Sequence, residues 1–341
     1  VIFNSTAVYL YSNSFSYDDS PLFRLSTQTL VTIFADLICE CMSQLRILFL
    51  ASWYPSRVSP YSGDFIQRHA RVAARVADIT VVHAVRDDDI RSVYEVSDTN
   101  DGLREIIVYY KGAGFRVMNF FRMMNAFRKG YTKAGNPDLV HLNTVFPAGI
   151  FALYLKFFHK KKYILSEHWT GFNPEIFSQF PFFKRRMIRW ILNNSAFVMP
   201  VSADLGEKML KVSPGLKIEV MPNVVDTERF SVTYPKQAHP KVRFLHLSML
   251  DDKHKNISGM LRVAKRLATE GLPFELHIGG NGPLDAISDF VKENNLEDAI
   301  FPFGALQHDQ VPTKIAQADC FVLFSNYENQ PCVQGEALAC G

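Results

Sequence analysis

Long apolar runs, excess charge of either sign and cysteine are all scarce in this chain. No window reaches the roughly 18 uninterrupted apolar residues of a membrane-spanning helix. The 37 Lys and Arg nearly cancel the 34 Asp and Glu over 341 residues, leaving a formal charge of +3. That is too little for a phosphate-backbone reader, so no nucleic-acid partner is expected. Five cysteines exclude a disulfide scaffold. Cys39 and Cys41 lie near the front; Cys320, Cys332 and Cys340 remain as unpaired thiols, none spaced for zinc, as in a reducing cytosol. No Gly-x-Gly-x-x-Gly follows the first apolar strand, which counts against a dehydrogenase. No Asp-x-Asp pair stands at a useful place, so no metal is expected. No repeat of fixed period is present.

What is there is ordinary globular composition, 48% apolar and 21% charged, long enough for two domains with separate cores. The charge is unevenly placed. Residues 1–41 hold Arg24 against Asp18, Asp19, Asp36 and Glu40, a balance of −3, and the chain from Met42 onward carries +6. The chain begins at Val1, and Met42 reads as the native start, with residues 1–41 a non-native or disordered extension; a genuine N-terminal extension is the alternative. Residues 29–39 are apolar but lack the basic region that opens a secretory signal.

From residue 45, short apolar strands alternate with helix-length periodic segments, the pattern of βαβ units and parallel sheets. Expected strands are Ile47–Ala51, Ile79–Ala84, Glu105–Tyr110, Leu139–Leu142, Lys162–Ser166 and Phe197–Pro200, with helices from about Asp64, over Pro147–Phe158 and over Pro181–Asn193. A second alternation follows a linker at Gln237–Pro240: strands at Val242–Ser248, Phe274–Gly279, Ile300–Phe303 and Cys320–Ser325, helices at Ile257–Glu270, Leu284–Asn294 and Val311–Ala318. The expected domains are residues 42–212, a linker region 213–240, and residues 241–341. Two such halves make the cleft between them the default ligand site.

The most informative segment is the last. Glu328 and Glu336 flank Asn329-Gln330-Pro331-Cys332 after an apolar strand. Pro331 suits the first turn of a following helix, whose free N–H groups favour an anion. A phosphate between carboxylates that face hydroxyls is what a nucleotide sugar needs. Three further elements accompany it: Pro222-Asn223-Val224-Val225-Asp226-Thr227-Glu228-Arg229-Phe230 before the linker, Ile278-Gly279-Gly280-Asn281-Gly282-Pro283 after a strand and opening a helix, and Ala318-Asp319 before the last strand. Together they resemble the retaining glycosyltransferases of family 4, whose GT-B fold sets two Rossmann-like domains face to face. The resemblance covers about residues 45–341.

That resemblance implies an α/β GT-B fold and transfer of a sugar from a nucleoside diphosphate sugar to an acceptor hydroxyl, on a glycan or lipid-linked glycan, with retention of configuration. It implies no cofactor beyond the donor. Glu328 would lie at the donor sugar and Glu336 at the nucleotide ribose, with Asn329, Gln330, Pro331 and Cys332 approaching sugar and phosphates. Lys255 matches the family's diphosphate-binding lysine, but Met249 stands where an arginine is expected; Lys253 or Arg243 could substitute, or helix dipoles could serve. Lys255 alone would read as a surface lysine. Gly279, Gly280, Asn281 and Gly282 would bring backbone close to the donor or to a neighbouring strand, and Gly63, opening the first helix, would face its phosphate unless it is a plain turn. His168, in Ser166-Glu167-His168, would lie near the reaction centre; Glu167, His141 and Asn143 are weaker candidates. Relatives continue past the position of Gly341, which implies an incomplete donor domain.

The helix around Phe182–Ile191 mixes cations with large apolar residues, and Lys160-Lys161-Lys162 adds a second basic cluster. Both fit a cytoplasmic protein held at the inner face of the membrane, or a solvated basic face. A nucleotide-sugar 2-epimerase and a catalytically silent nucleotide-sugar-binding subunit are the alternative functions.

Overall fold

The computed structural model describes residues 45–231 and 240–341. The expected 1–41 extension and most of the Gln237–Pro240 linker lie outside these residues. The apolar run at Ile47 becomes β1 (Arg46–Ala51), buried over its last four residues. A strand covered on both faces needs continuous rather than alternating apolar residues. β1 pairs in parallel with β2 (Asp78–Arg86) on one side and β5 (Leu139–Asn143) on the other. With β3 (Tyr94–Asn100), β4 (Arg104–Tyr110), β6 (Tyr163–Glu167) and β7 (Val198–Pro200), it builds a seven-stranded sheet in the order β3-β4-β2-β1-β5-β6-β7.

β3 has no counterpart in the sequence reading. It runs antiparallel to β4 at the sheet edge, and most of its Tyr-Glu-Val-Ser-Asp-Thr-Asn sequence is exposed. An edge strand with little core to face carries no apolar alternation to announce it.

α1 (Asp64–Ala73) covers one face through Ile66 and Ala70, against Phe49 and Val81. α2 (Arg116–Ala134), α3 (Ala148–Phe158), the short α4 (Pro174–Ser178), α5 (Phe182–Asn194) and α6 (Ala203–Val212) share the other core, where Phe127, Phe151, Ile188 and Leu205 meet Val82 and Leu165. Beyond α6, Val198 donates its N–H to the Lys217 carbonyl at 2.9 Å and Met221 to that of Pro200 at 3.0 Å, so this segment continues the first sheet's hydrogen bonding. Phe230 is already buried in the second half. The chain therefore crosses between halves close to Pro222-Asn223.

The second sheet holds β8 (Val242–Met249), β9 (Phe274–Asn281), β10 (Ile300–Phe303) and β11 (Cys320–Phe321), all parallel, in the order β10-β9-β8-β11. After the single turn α7 (Asp252–Lys255), α8 (Ile257–Thr269) and α9 (Asp285–Glu293) bury Met260 and Ile287 against Leu276. α10 (Val311–Ala316) and α11 (Cys332–Ala339) close the other face around Phe230 and Leu247. The expected strand Cys320–Ser325 ends at Phe321, its last bond to β8 running from Val322 N–H to the Leu245 carbonyl at 2.8 Å; further on, Asn326 donates its backbone N–H to the His254 carbonyl at 2.8 Å and its side-chain amide to that of Lys253 at 3.0 Å. The result is the expected α/β architecture of two Rossmann-like sheets. Among the described residues no helix is long and apolar enough to cross a membrane.

Candidate active site

In both sheets the loops that leave the carboxyl ends of the strands carry the expected site residues, the edge where α/β proteins bind ligands. β11 opens into the loop 325–331, and Pro331 is the N-cap of α11, one position earlier than its expected place in the first turn. Glu336 then lies one turn inside α11 and is only 4% exposed. Its carboxylate is ion-paired with Arg68, on α1 of the other half. Arg68 also reaches Asp64, one turn earlier, at 2.7 Å. Burial raises the Glu336 pKa and Arg68 opposes that shift. For Arg68, burial works against the charge but Asp64 and Glu336 outweigh it, so its pKa is raised.

Glu328 pairs with Lys255 at the end of α7. Each glutamate of the pair thus meets one cation, Lys255 from its own half and Arg68 from across the cleft. Met249 ends β8 with 64% of its surface exposed. Arg243 does not stand in for the expected arginine there. It lies at the opposite end of β8, roughly 20 Å away at about 3.3 Å per residue, bonded to Glu275 at 2.8 Å with its backbone N–H on Asp319 at 2.8 Å. Lys253 is exposed on α7.

Two hydrogen-bonded contacts join the 325–331 loop to the first half and to the crossing segment. The Asn329 side-chain amide donates to the His168 carbonyl at 2.8 Å, and the Asn223 amide donates to the Gln330 carbonyl at 2.8 Å. His168 packs on Phe65, ring centroids 4.4 Å apart, and near His69 at 5.6 Å. Burial, with His69 and His141 nearby, holds its pKa well below the usual histidine value, although Asn223 nearby favours the charged ring. Neither His168 ring nitrogen is hydrogen-bonded, and the buried Asn329 Oδ1 and Ser325 Oγ also lack partners.

The weaker candidates have structural partners. Glu167 accepts backbone N–H bonds from Val145, His168 and Trp169; burial lifts its pKa to about 7 against those bonds. It fixes the loop that presents His168. His141 sits 2.6 Å from Ser166 Oγ, and burial pushes its pKa down to about 3. Asn143 donates to the His141 carbonyl at 2.9 Å, leaving its Oδ1 unpaired. Burial raises the Cys332 thiol to about 12, so it is no nucleophile at neutral pH.

The glycines owe their identity to close packing. A Cβ on Gly63, at φ 68, would meet the Trp53 carbonyl carbon and oxygen at 2.6 Å. A Cβ on Gly280, at φ 135, would fall 1.8 Å from the Ser248 carbonyl oxygen, and one on Gly282 would fall 2.9 Å from Leu250 Cβ. The Asn281 carbonyl accepts from Leu250 N–H at 2.9 Å. These three residues thus lock the carboxyl ends of β8 and β9 together; among the described residues no hydrogen bond ties them to the 328–336 segment.

The sequence profile of Glycosyltransferase Family 4 matches residues 58–229, half of the chain, and that of Glycosyl transferases group 1 matches residues 236–341. The chain belongs to glycosyltransferase family 4. A Bacillus subtilis (strain 168) protein named as a glycosyltransferase, EpsF, is 27% identical over 229 residues, 63% of this chain and 58% of that protein. The chain thus matches less than two thirds of that relative's length. Among solved structures, the sucrose-phosphate synthase of Thermosynechococcus elongatus superposes with a TM-score of 0.68 at 19% identity, over 87% of this chain and 79% of that one. An E. coli trehalose-6-phosphate protein, bound with UDP-2-fluoro glucose, gives 0.65 at 9% identity, over 86% and 81%. These likenesses are of fold, and they are GT-B folds. Within the family assignment, Arg68 is the residue that sequence reading passed over. Its one local signal is a basic side chain four residues after Asp64, beside the buried face of α1; its partner lies 268 residues away.

Proposed function

We propose that this family 4 protein transfers a sugar from a nucleoside diphosphate sugar to an acceptor hydroxyl of a glycan or lipid-linked glycan, with retention of configuration and without a metal. The observation that carries the reading is the set of buried, unpaired polar atoms on His168, Asn329 and Ser325 beside the Glu328–Lys255 and Glu336–Arg68 pairs. An unpaired buried polar group costs about 1–3 kcal/mol, and a ligand rich in hydroxyls relieves that cost. The UDP-2-fluoro glucose of the E. coli relative is of that kind.

In this reading Glu336 accepts from the ribose hydroxyls and Glu328 from those of the donor sugar. Lys255 and the N–H groups that open α11 oppose the charge growing on the diphosphate as the bond from the anomeric carbon to its oxygen breaks. The acceptor oxygen bonds to the anomeric carbon from the same face, and its proton passes to the leaving phosphate. His168, held neutral, hydrogen-bonds the sugar without adding charge. Asn329 to Cys332 line the sugar and phosphates, and Gly63, Gly280, Asn281 and Gly282 bring backbone to the donor. The reaction is assigned to the cytoplasm, at the inner face of the membrane where lipid-linked acceptors are presented.

The test is turnover of labelled nucleotide sugars with and without acceptors, in chelator. Lys255→Ala and Glu336→Ala are each expected to lower kcat/KM by about 100-fold or more, the cost of losing one preorganised charge contact. Full activity in both variants overturns the site assignment. Donor consumption without acceptor indicates the epimerase, and donor binding without turnover indicates the silent subunit.

A further inference from the structure

The helices α2, α3 and α5 lie side by side on one face of the first sheet, α3 packed between the other two. Their sequences contain ten Lys or Arg and no Asp or Glu. Over residues 106–203 the imbalance is fourteen cations against three acids, a balance of +11 in a chain whose total is +3. Of those acids, Asp138 is ion-paired with Arg46 and Glu167 is buried. Among the described residues, Lys133 is the one cation of these three helices in an ion pair.

The same helices and their caps expose large apolar side chains. Phe115 is 80% exposed where α2 begins, and Val117, Met118 and Phe121 follow it. Phe183 is 82% exposed where α5 begins, and Phe158 is 75% exposed at the end of α3, beside Phe157, which stacks on Trp190. A merely solvated basic face has no use for bare phenyl rings. Two copies of such a face repel one another, which disfavours a dimer through it. Rings that bury at a headgroup boundary, flanked by cations with apolar stems, match an anionic bilayer surface.

We propose that the α2–α3–α5 face docks on an anionic lipid bilayer, with the Phe115–Phe121 stretch and Phe183 entering the headgroup layer. This deepens the membrane placement of the proposed function and rests on it, whereas sugar transfer itself is tested separately by turnover. The face extends well past the two basic clusters visible in the sequence, because α2 joins it only in three dimensions.

The experiment is co-sedimentation of the full chain with phosphatidylcholine vesicles, with and without phosphatidylglycerol, at low and high salt. Binding is expected to the mixed vesicles only and to fall as salt rises. Arg116→Ala with Arg186→Ala is expected to weaken it roughly thirtyfold, at about fivefold per cation. Phe120→Ser with Phe121→Ser is expected to weaken it about tenfold or more, with an unchanged melting temperature. Equal binding to neutral and mixed vesicles overturns the proposal. So does a Phe variant that binds like the parent while heparin competes, which makes the face a polyanion site. A concentration-dependent dimer that the Phe variant abolishes also overturns it.

Discussion

At the scale of single residues, the pairing of Arg68 with Glu336 is the most consequential contact of the cleft. Arg68→Met leaves a buried carboxylate without its cation and is expected to lower stability by about 1–3 kcal/mol in the absence of donor. Combined with Glu336→Gln, the loss is expected to be smaller than the sum of the two, with a coupling of about 0.5–3 kcal/mol in a denaturant double-mutant cycle. Additive losses would show that the two side chains do not act together. The contrast between these residues explains what a sequence can display. Glu336 is visible because a strand, a proline and a helix fix its position within a dozen residues. Arg68 is not, because a contact across a cleft depends on how two sheets face each other, and no local periodicity encodes that. The cation at Met249 is a third case: the sequence showed the gap, and only the placement of Arg243 at the far end of β8 removed it as a substitute.

At the scale of elements, the carboxyl end of β9 is held to β8 by backbone approach more than by side chains. Gly280→Ala forces a Cβ onto the Ser248 carbonyl oxygen at a φ that L-residues rarely adopt. Strain and overpacking together are expected to cost about 3 kcal/mol or more. Gly304→Ala, where nothing lies within 4 Å, is the control and is expected to be nearly neutral; urea midpoints of both variants test this. The Gly-rich turn was legible as a close approach to a ligand or to a neighbouring strand, and β8 is the strand it meets. Strands with a full core face, such as β1, were legible to within a residue. β3 was missing from the sequence reading because it stands at a sheet edge, where hydrogen bonding to one neighbour replaces the apolar signal, and β11 was overlong because its apolar run continues past its last bond to β8.

For the whole molecule, the buried histidines make stability depend on pH. Burial lowers the pKa of His83 to about 4 and that of His141 to about 3. The unfolded chain takes up these protons near pH 6.5 and the folded chain resists them. Their contribution is therefore complete above about pH 6.5 and is lost as pH falls toward 4 and 3, with a slope of up to about 1.4 kcal/mol per pH unit for each histidine. Glu167 acts in the opposite sense: with its pKa raised to about 7, it contributes less as pH rises from about 4.5 to 7. His83→Gln is expected to lose less stability on acidification than the parent chain, in melting curves taken from pH 7 to 4; parallel curves would show that His83 does not titrate as described.

The first sheet is completed by strands that all lie between residues 46 and 200, whereas Arg68 and His168 of that half meet Glu336 and Asn329, which come far later in the chain. On the ribosome, the amino-terminal half can therefore finish folding while the carboxyl-terminal half is still being synthesised. The cleft forms only once the later half has been added to an amino-terminal half already made.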